Sequence, residues 1–539
     1  MSAIAHLRAA AAHLSARRLP EARAECAAAL ALSPASADAL NLLGLVEHAA
    51  GDVAAARAAL ERAVAANPRY ANAWMNLAAV LDADGTRAES AQALARGLAL
   101  RRDAGASDWL DLGQRAAAAR LDELAADAFE RTLALAPGDL AALRAYAILR
   151  DRQHRPYEAR ALAARMLDAA PTVIGARYTF AAIWSKATEP ADLARALDAG
   201  MAVLADDPRH AGAHDCVAIV LGKIGRRDDA VAHAREAVAL APAQAAFAAT
   251  LVRLLEEDGR LDEAAAALAD AARAGADNAL LRRLRGTVAL RSGDAESARA
   301  AFAAALALDP ADQEAIAQQA LALELAGDHA AASALRGEDA FVRAVALAAP
   351  PGFASLDAFN AQLADDIRRH SRLRFEPVGL AAKGGWLTED LLADRTPAIL
   401  GFEAALRAAI DAYIASLAGD PAHPFLRAIP QRWGINVWAT RVAAQGTIDT
   451  HIHEQSWLSG AYYVALPPAL GAGAGDHAGW IEFGRPYRSL PQPGARAVRT
   501  IQPREGTLLL FPSYLFHRTL PFAGVGERIS ISFDLAPAA

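Results

Sequence analysis

His451-Ile-His-Glu-Gln-Ser-Trp-Leu-Ser-Gly-Ala-Tyr-Tyr-Val464 decides how the end of this chain is read. Two imidazoles at i and i+2 of an extended segment project to the same side, because strand side chains alternate. A β-like run, Ser459 to Val464, follows within a few residues. Further on come Gly506-Thr-Leu-Leu-Leu-Phe-Pro-Ser-Tyr-Leu-Phe-His517 and Arg528-Ile-Ser530. A third imidazole, His517, can reach the first two from a distant strand of a barrel. Arg528, two strand positions before Ser530, can hold an anion beside them. Three ligands on one face with open positions opposite suit a non-heme iron site.

The surroundings of this stretch are β-like. Trp433 to Thr440 alternates and Gly446 to Thr450 leads into His451. Gly460 to Leu466, Trp480 to Phe483, Ala497 to Ile501, Thr507 to Phe511 and Ile529 to Leu535 are short apolar runs between Gly/Pro turns. Such runs with no helices between them predict an antiparallel sandwich or barrel. Before them, Leu356 to Arg369 reads as a helix. So does Leu387 to Leu417, with Thr388 as its cap. Five of the eight tryptophans (Trp386, Trp433, Trp438, Trp457 and Trp480) lie in this part. Ala348-Ala-Pro-Pro-Gly352 breaks any helix and marks a boundary. The expected division is residues 1–345 and 346–539.

The first part is periodic. Pro34 and Pro68 are 34 residues apart, as are Pro137 and Pro171; Pro242 and Pro310 are 68 apart, and 69 separate Pro68 from Pro137. Small residues recur at fixed places before the prolines. They are Gly44, Ala56 and Ala63, then Ala218, Ala230 and Ala237, then Gly286, Ala298 and Ala305 with Phe302 between. Small residues let paired helices approach, and the proline ends the second helix. The interval around Pro208 is longer. A repeat of this period resembles the tetratricopeptide repeat family over roughly residues 3–340. That resemblance implies an all-α solenoid whose groove binds a protein or peptide partner.

The C-terminal motifs carry a second resemblance. His451-x-His453, Ser459-Gly-x-Tyr-Tyr-Val464, Gly506-x-Leu-Leu-Leu-Phe-Pro-Ser513, His517 and Arg528-x-Ser530-x-Ser-Phe533 resemble the 2-oxoglutarate-dependent Fe(II) oxygenases, closest to a bacterial and phage branch fused to tetratricopeptide repeats. Phe359-Asn-Ala-Gln-Leu and Gly384-Gly-Trp-Leu-Thr are similar to that branch too. The resemblance implies a double-stranded β-helix (jelly roll) over about 355–536. It implies Fe(II) on His451, His453 and His517, with 2-oxoglutarate as co-substrate held at its far carboxylate by Arg528, Ser530 and Tyr463. It also implies O₂ as oxidant and hydroxylation of a C–H bond coupled to succinate formation. Most of that superfamily has a carboxylate where His453 stands, and Asp449 or Glu454 could replace it. Asn436 and Trp438 are candidates for the pocket wall.

The function expected is therefore a dioxygenase acting on a protein or peptide captured by the repeats. The alternatives are a binding scaffold with an inactive oxygenase-like domain, or a small-molecule oxygenase. A net charge of −7 and pI near 6.1 give no basic footprint for nucleic acid. Cys26 and Cys216 are read as buried packing residues. Met1 to Leu19 has no apolar signal core and no apolar run reaches membrane-spanning length, so a cytoplasmic protein is expected. Gly471 to Gly479 looks like a phosphate loop. A strand rather than a helix follows it, so a hairpin loop near the site is expected instead.

Overall fold

The computed structural model describes every residue except 154, 376–381, 389, 418–421, 471–476, 495–496, 524 and 538–539. The chain divides into two compact units, Met1–Ile183 and Trp184–Ala538.

The first unit is built of helix pairs such as Ala37–Ala49 with Val53–Ala66 and Ala106–Ala118 with Asp122–Leu135. Its repeat prolines stand where the periodicity puts them. Pro34, Pro68, Pro137 and Pro171 each follow, by two residues, the ends of Leu19–Leu32, Val53–Ala66, Asp122–Leu135 and Pro156–Ala169. The small residues are where paired helices touch. A Cβ at Gly44 would lie 2.5 Å from Leu60, and one at Gly113 2.5 Å from the Phe129 ring. Adding a methyl there overpacks the pair.

The second unit continues the same pairing from Pro190–Asp206 to His329–Arg336. Gly286 and Phe302 repeat the contact, again at 2.5 Å. The longer interval at Pro208 comes from a helix of 17 residues, Pro190–Asp206, where its counterpart Arg227–Leu240 has 14. Cys26 in the first unit and Cys216 in the second are free and buried. Burial pushes their thiols up to about 11 and about 12, so neither is a thiolate at neutral pH.

After these helices the unit becomes a sheet domain. Its strands are β1 (Arg343–Ala346), β2 (Leu373–Phe375), β3 (Ala382–Thr388), β4 (Trp433–His451), β5 (Leu458–Ala465), β6 (Ile481–Phe483), β7 (Arg499–Ile501), β8 (Thr507–Pro512), β9 (His517–Thr519) and β10 (Glu527–Pro537). All pairings are antiparallel, in the order β1-β8-β5-β10-β4-β9-β6-β7, with β3 also on β4 and β2 on β3. The two runs expected at Trp433–Thr440 and Gly446–Thr450 are one strand of 19 residues. Its first half pairs with β10, from Trp433↔Pro537 to Ala443↔Glu527; its end pairs with β9, at Ile448↔Thr519 and His451↔His517. β4 thus passes from one four-stranded half, β4-β10-β5-β8, to the other, β4-β9-β6-β7. This is a double-stranded β-helix. The register of β3 on β4 shifts at a glycine contact: Gly384 has φ +67°, and a Cβ on it would lie 3.2 Å from the Gly446 Cα. Backbones approach so closely only without side chains.

One helix expectation is corrected. Leu387 and Thr388 do not begin a helix. They end β3, and the Thr388 hydroxyl accepts the Ala439 N–H at 2.8 Å. A 3-10 turn, Leu391–Ala393, follows. The helix is Pro397–Ser416, started by Pro397 behind Thr396, whose side chain accepts the Ile399 N–H. This helix and Leu356–Arg368 cover the outer face of β5, where Tyr462 packs on Phe402 at 5.3 Å and donates to Asn360 Oδ1 at 2.7 Å.

The late repeats and the sheet share one core. Phe302 and Ile316 of the repeats lie in the same buried cluster as Phe359, Phe402, Leu510 and Phe533. The Tyr514 hydroxyl, at the end of β8, lies 3.1 Å from the carbonyls of Leu335 and Arg336. Among the described residues no helix is long and apolar enough to cross a membrane.

Candidate metal centre

His451 is the last residue of β4 and faces His517, the first of β9, in register. His453 lies in the turn beyond β4, its N–H donated to the Ser513 carbonyl at 3.1 Å. The pairing of β4 with β9 brings His517 beside His451 and His453, from which it is distant in sequence. Their potential ligand atoms all lie within 4.8 Å of one another, and theirs is the one such cluster among the described residues. Asp449 and Glu454 are outside it, and both are exposed or nearly so.

The other ring nitrogen of each imidazole is engaged. His451 Nδ1 lies 2.8 Å from the Asp449 carbonyl and His517 Nδ1 2.9 Å from the Leu515 carbonyl. A carbonyl only accepts, so each Nδ1 carries the proton and each Nε2 a lone pair. His453 Nδ1 lies 3.0 Å from Asp534 Oδ2, which fixes the same tautomer. His453 Nε2 and His517 Nε2 are 3.3 Å apart. Three lone pairs thus converge. Burial and the neighbouring imidazoles hold His451 down to about 4 and His517 well below the usual histidine range, so both rings are neutral donors at neutral pH. A three-nitrogen donor set of this kind fits Fe(II) with positions left open.

Arg528 lies near the start of β10. It shares a face of that strand with Ser530, Ser532 and Asp534 by alternation. The neighbouring strands place Tyr463 opposite Ser530 and Ser459 opposite Asp534. Arg528 is 2% exposed. Among the described residues its Nε and Nη2 have no hydrogen-bond partner, and its Nη1 has only the Gly479 carbonyl at 3.5 Å. Burial lowers its pKa to about 10. Burial also pushes the Tyr463 phenol up to about 12, against the pull of Arg528. A buried fork with two donors unpaired among the described residues has the chemistry to take a carboxylate, and so fits the far end of 2-oxoglutarate. Tyr462, on the other face, serves the helix layer instead.

Trp438 is part-exposed, with its ring 5.7 Å from that of His453, so it borders the triad rather than filling the core. Asn436 is exposed on the same strand face. Of the glycine loop, 471–476 lie outside the described residues. His477 packs on Trp480 at 4.5 Å, and β6 follows.

Three residues were missing from the sequence reading of the site. Asp534 accepts from His453, and its Oδ1 accepts the Ser459 hydroxyl at 2.7 Å. Ser459 in turn lies 2.7 Å from the Ser513 hydroxyl. The alternation that puts Ser530 on the face of Arg528 also puts Asp534 there, and that signal was available.

Residues 436–534 match the family model described as "Putative 2OG-Fe(II) oxygenase", and residues 41–107 and 218–279 match the tetratricopeptide repeat model. No curated protein matches the chain at a significant level. Among solved structures, a tetratricopeptide repeat protein from Parabacteroides merdae matches at 16% identity over 53% of this chain and 98% of its own, with a TM-score of 0.36. YrrB, described as a TPR protein with an unusual peptide-binding site, matches at 19% identity over 35% of this chain and 95% of its own, with a TM-score of 0.29. The chain carries tetratricopeptide repeats and, after them, a domain of the 2OG-Fe(II) oxygenase family.

Proposed function

We propose that the protein is a 2-oxoglutarate-dependent Fe(II) dioxygenase that hydroxylates a protein or peptide, with residues 1–345 capturing the substrate and 346–539 reacting with it. The observation that carries this reading is the convergence of three Nε2 lone pairs in the same barrel as a buried arginine with no anion among the described residues. His451, His453 and His517 would hold the metal. Arg528 would take the far carboxylate of 2-oxoglutarate in a fork, with Ser530 and Tyr463 offering hydroxyls on adjoining positions of the same face. Bound iron would supply the coupling of 2-oxoglutarate decarboxylation by O₂ to C–H hydroxylation. The barrel's part is to orient the co-substrate and to keep water from the buried guanidinium of Arg528.

A macromolecular substrate is supported by what borders the mouth. Glu454 adjoins His453, and its charge acts on Glu314 of the repeat helix Gln313–Leu325. Burial raises the Glu314 carboxyl, Arg283 opposes the rise and Glu454 adds to it. A repeat surface beside the site raises the local concentration of whatever the repeats hold. Net negative charge argues against nucleic acid, and we propose a cytoplasmic setting.

The test is anaerobic titration of Fe(II) and then 2-oxoglutarate into the full chain, following the metal-to-ligand absorption, with succinate measured after O₂ is admitted. One metal per chain, chelation and succinate are expected. A second reading, an inactive scaffold, is favoured by His453 standing where a carboxylate is common. Metal binding without chelation or succinate would select it. Chelation, with succinate stimulated by small metabolites and not by peptides eluted from the repeats, would select a small-molecule oxygenase.

A further inference from the structure

We infer that Asp534 supplies, through His453, the negative charge that the His-x-His ligand pair lacks. The inference rests on the metal site proposed above. Three neutral imidazoles leave a divalent cation one charge less compensated than two imidazoles and a carboxylate do. In this chain a carboxylate stands one bond further out. Asp534 Oδ2 is 3.0 Å from His453 Nδ1, the nitrogen on the far side of the ring from the converging Nε2 atoms. Donating the Nδ1 proton to an anion pushes electron density toward Nε2, so part of the charge is felt at the metal position.

Asp534 is held for this task. Its second oxygen accepts the Ser459 hydroxyl at 2.7 Å, and Ser459 meets Ser513 at 2.7 Å. Ser459 is 1% exposed and Ser513 0%, so the serine pair is shut off from water. The Ser513 carbonyl also takes the His453 N–H at 3.1 Å, which ties both ends of His453 to one network. No arginine or lysine is paired with Asp534 among the described residues; its one ionic partner is His453. A carboxylate spent on structure alone would gain more from a cation than from an imidazole. His451 and His517 donate to backbone carbonyls, which carry no net charge, so His453 is the one ligand candidate with an anionic partner. It stands at the position where most of the superfamily has the carboxylate itself. Asp534 is thus a positioning residue, acting on the metal through His453 and not by ligation.

The test uses the full chain and Co(II), whose d–d absorption reports ligand strength and whose affinity is read by competition with a chromophoric chelator. Asp534→Asn keeps an oxygen that can accept the Nδ1 proton and removes the charge. Affinity should fall about 10–100-fold, with the d–d bands shifted. Asp534→Glu keeps the charge and should stay closer to wild type than the Asn variant. His453→Asp places a carboxylate against Asp534. It should gain affinity when combined with Asp534→Asn, although each substitution alone weakens binding. That sign reversal is not expected of a residue that merely braces the fold, and it can be read even if Asp534→Asn alone proves unstable. Wild-type Co(II) affinity and spectrum in Asp534→Asn, or additive losses in the double variant, would overturn the inference. Absence of Co(II) binding by the wild type would overturn the metal site itself, a distinct result.

Discussion

Arg283 and Arg528 are both buried, at 8% and 2% exposure, within the same compact unit. Arg283, on the repeat helix Ala279–Arg291, has two acids: Asp312 at 3.0 Å and, closer still, Glu314. Arg528, in the barrel, has none among the described residues. His214 and the triad differ in the same way. In the repeats both ring nitrogens of His214 are engaged, one by His233 at 2.9 Å and one by the Pro208 carbonyl at 3.1 Å. In the barrel each histidine of the triad keeps Nε2 for the centre. Burying a charge without a partner is costly, so a fold tolerates it where a ligand completes the pairing. The contrast belongs to these particular groups, since other buried repeat atoms, such as His13 Nδ1 and Asp215 Oδ1, also have no hydrogen-bond partner among the described residues.

The largest effect should come from the triad. His517→Ala removes the fully buried donor, and bound metal after anaerobic loading should fall from about one per chain to none, since two imidazoles leave a facial site incomplete. His233→Ala, in the repeats, should leave metal content unchanged. Equal metal content in the two variants would erase the distinction between the histidine groups.

The arginines give the next test, with opposite signs. Arg528→Ala should weaken 2-oxoglutarate binding by ~10–150-fold, the equivalent of a lost charged hydrogen bond, without lowering the thermal midpoint. Arg528→Lys should rescue only partly, because the fork is gone. Arg283→Ala should do the reverse. It leaves Asp312 and Glu314 uncompensated at 15% and 16% exposure, at a cost of ~3 kcal/mol in stability, with the 2-oxoglutarate affinity unchanged. Loss of stability in Arg528→Ala with no loss of affinity would move that arginine into the structural class.

These contrasts also explain what could be read from the chain alone. The repeats were legible because each contact recurs. Gly44 against Leu60, Gly113 against Phe129 and Gly286 against Phe302 are one solution written three times in sequence spacing. His451, His517 and Arg528 were legible because the motifs around them fix their faces; His453 lies past the end of β4, where its N–H on the Ser513 carbonyl, and not strand alternation, sets its place. What was not legible depended on pairing across the fold. Leu387 and Thr388 carry a helix-start pattern, and only their pairing with β2 and β4 makes them a strand end. β1, Arg-Ala-Val-Ala, has the same texture as the alanine-rich helices before it and becomes a strand because β8 offers an edge. Asp534 looks like any polar residue on a strand face until the segment that carries His453 meets it.

The smallest effect is the sharpest check on the contrast, because the repeats also hold unpartnered buried atoms. Asp215, on the helix Ala211–Lys223, has a buried Oδ1 with no hydrogen-bond partner among the described residues. Burial raises its carboxyl to about 6, with the Thr250 hydroxyl beside it working in the opposite direction. If every unpartnered buried group marked a binding site, Asp215 would be one. The physical expectation is milder. Its folded pKa lies above the ordinary carboxylate value, so between about pH 4 and 6 the folded state holds a proton that the unfolded state releases. Its effect on stability therefore worsens as pH rises through that window, and the cost is fully present above about pH 6. Asp215→Asn removes the charge and should raise stability by ~1–2 kcal/mol at pH 7.5 and by little at pH 4, where both side chains are neutral. The measurement is the difference in thermal midpoint between variant and wild type at the two pH values, beside Co(II) and 2-oxoglutarate affinities that should not move. A lower midpoint for the variant at pH 7.5 would show that a cation unseen among its neighbours compensates Asp215. Changed affinities would join this part of the repeats to the chemistry of the barrel, and the contrast between the two regions would have to be redrawn.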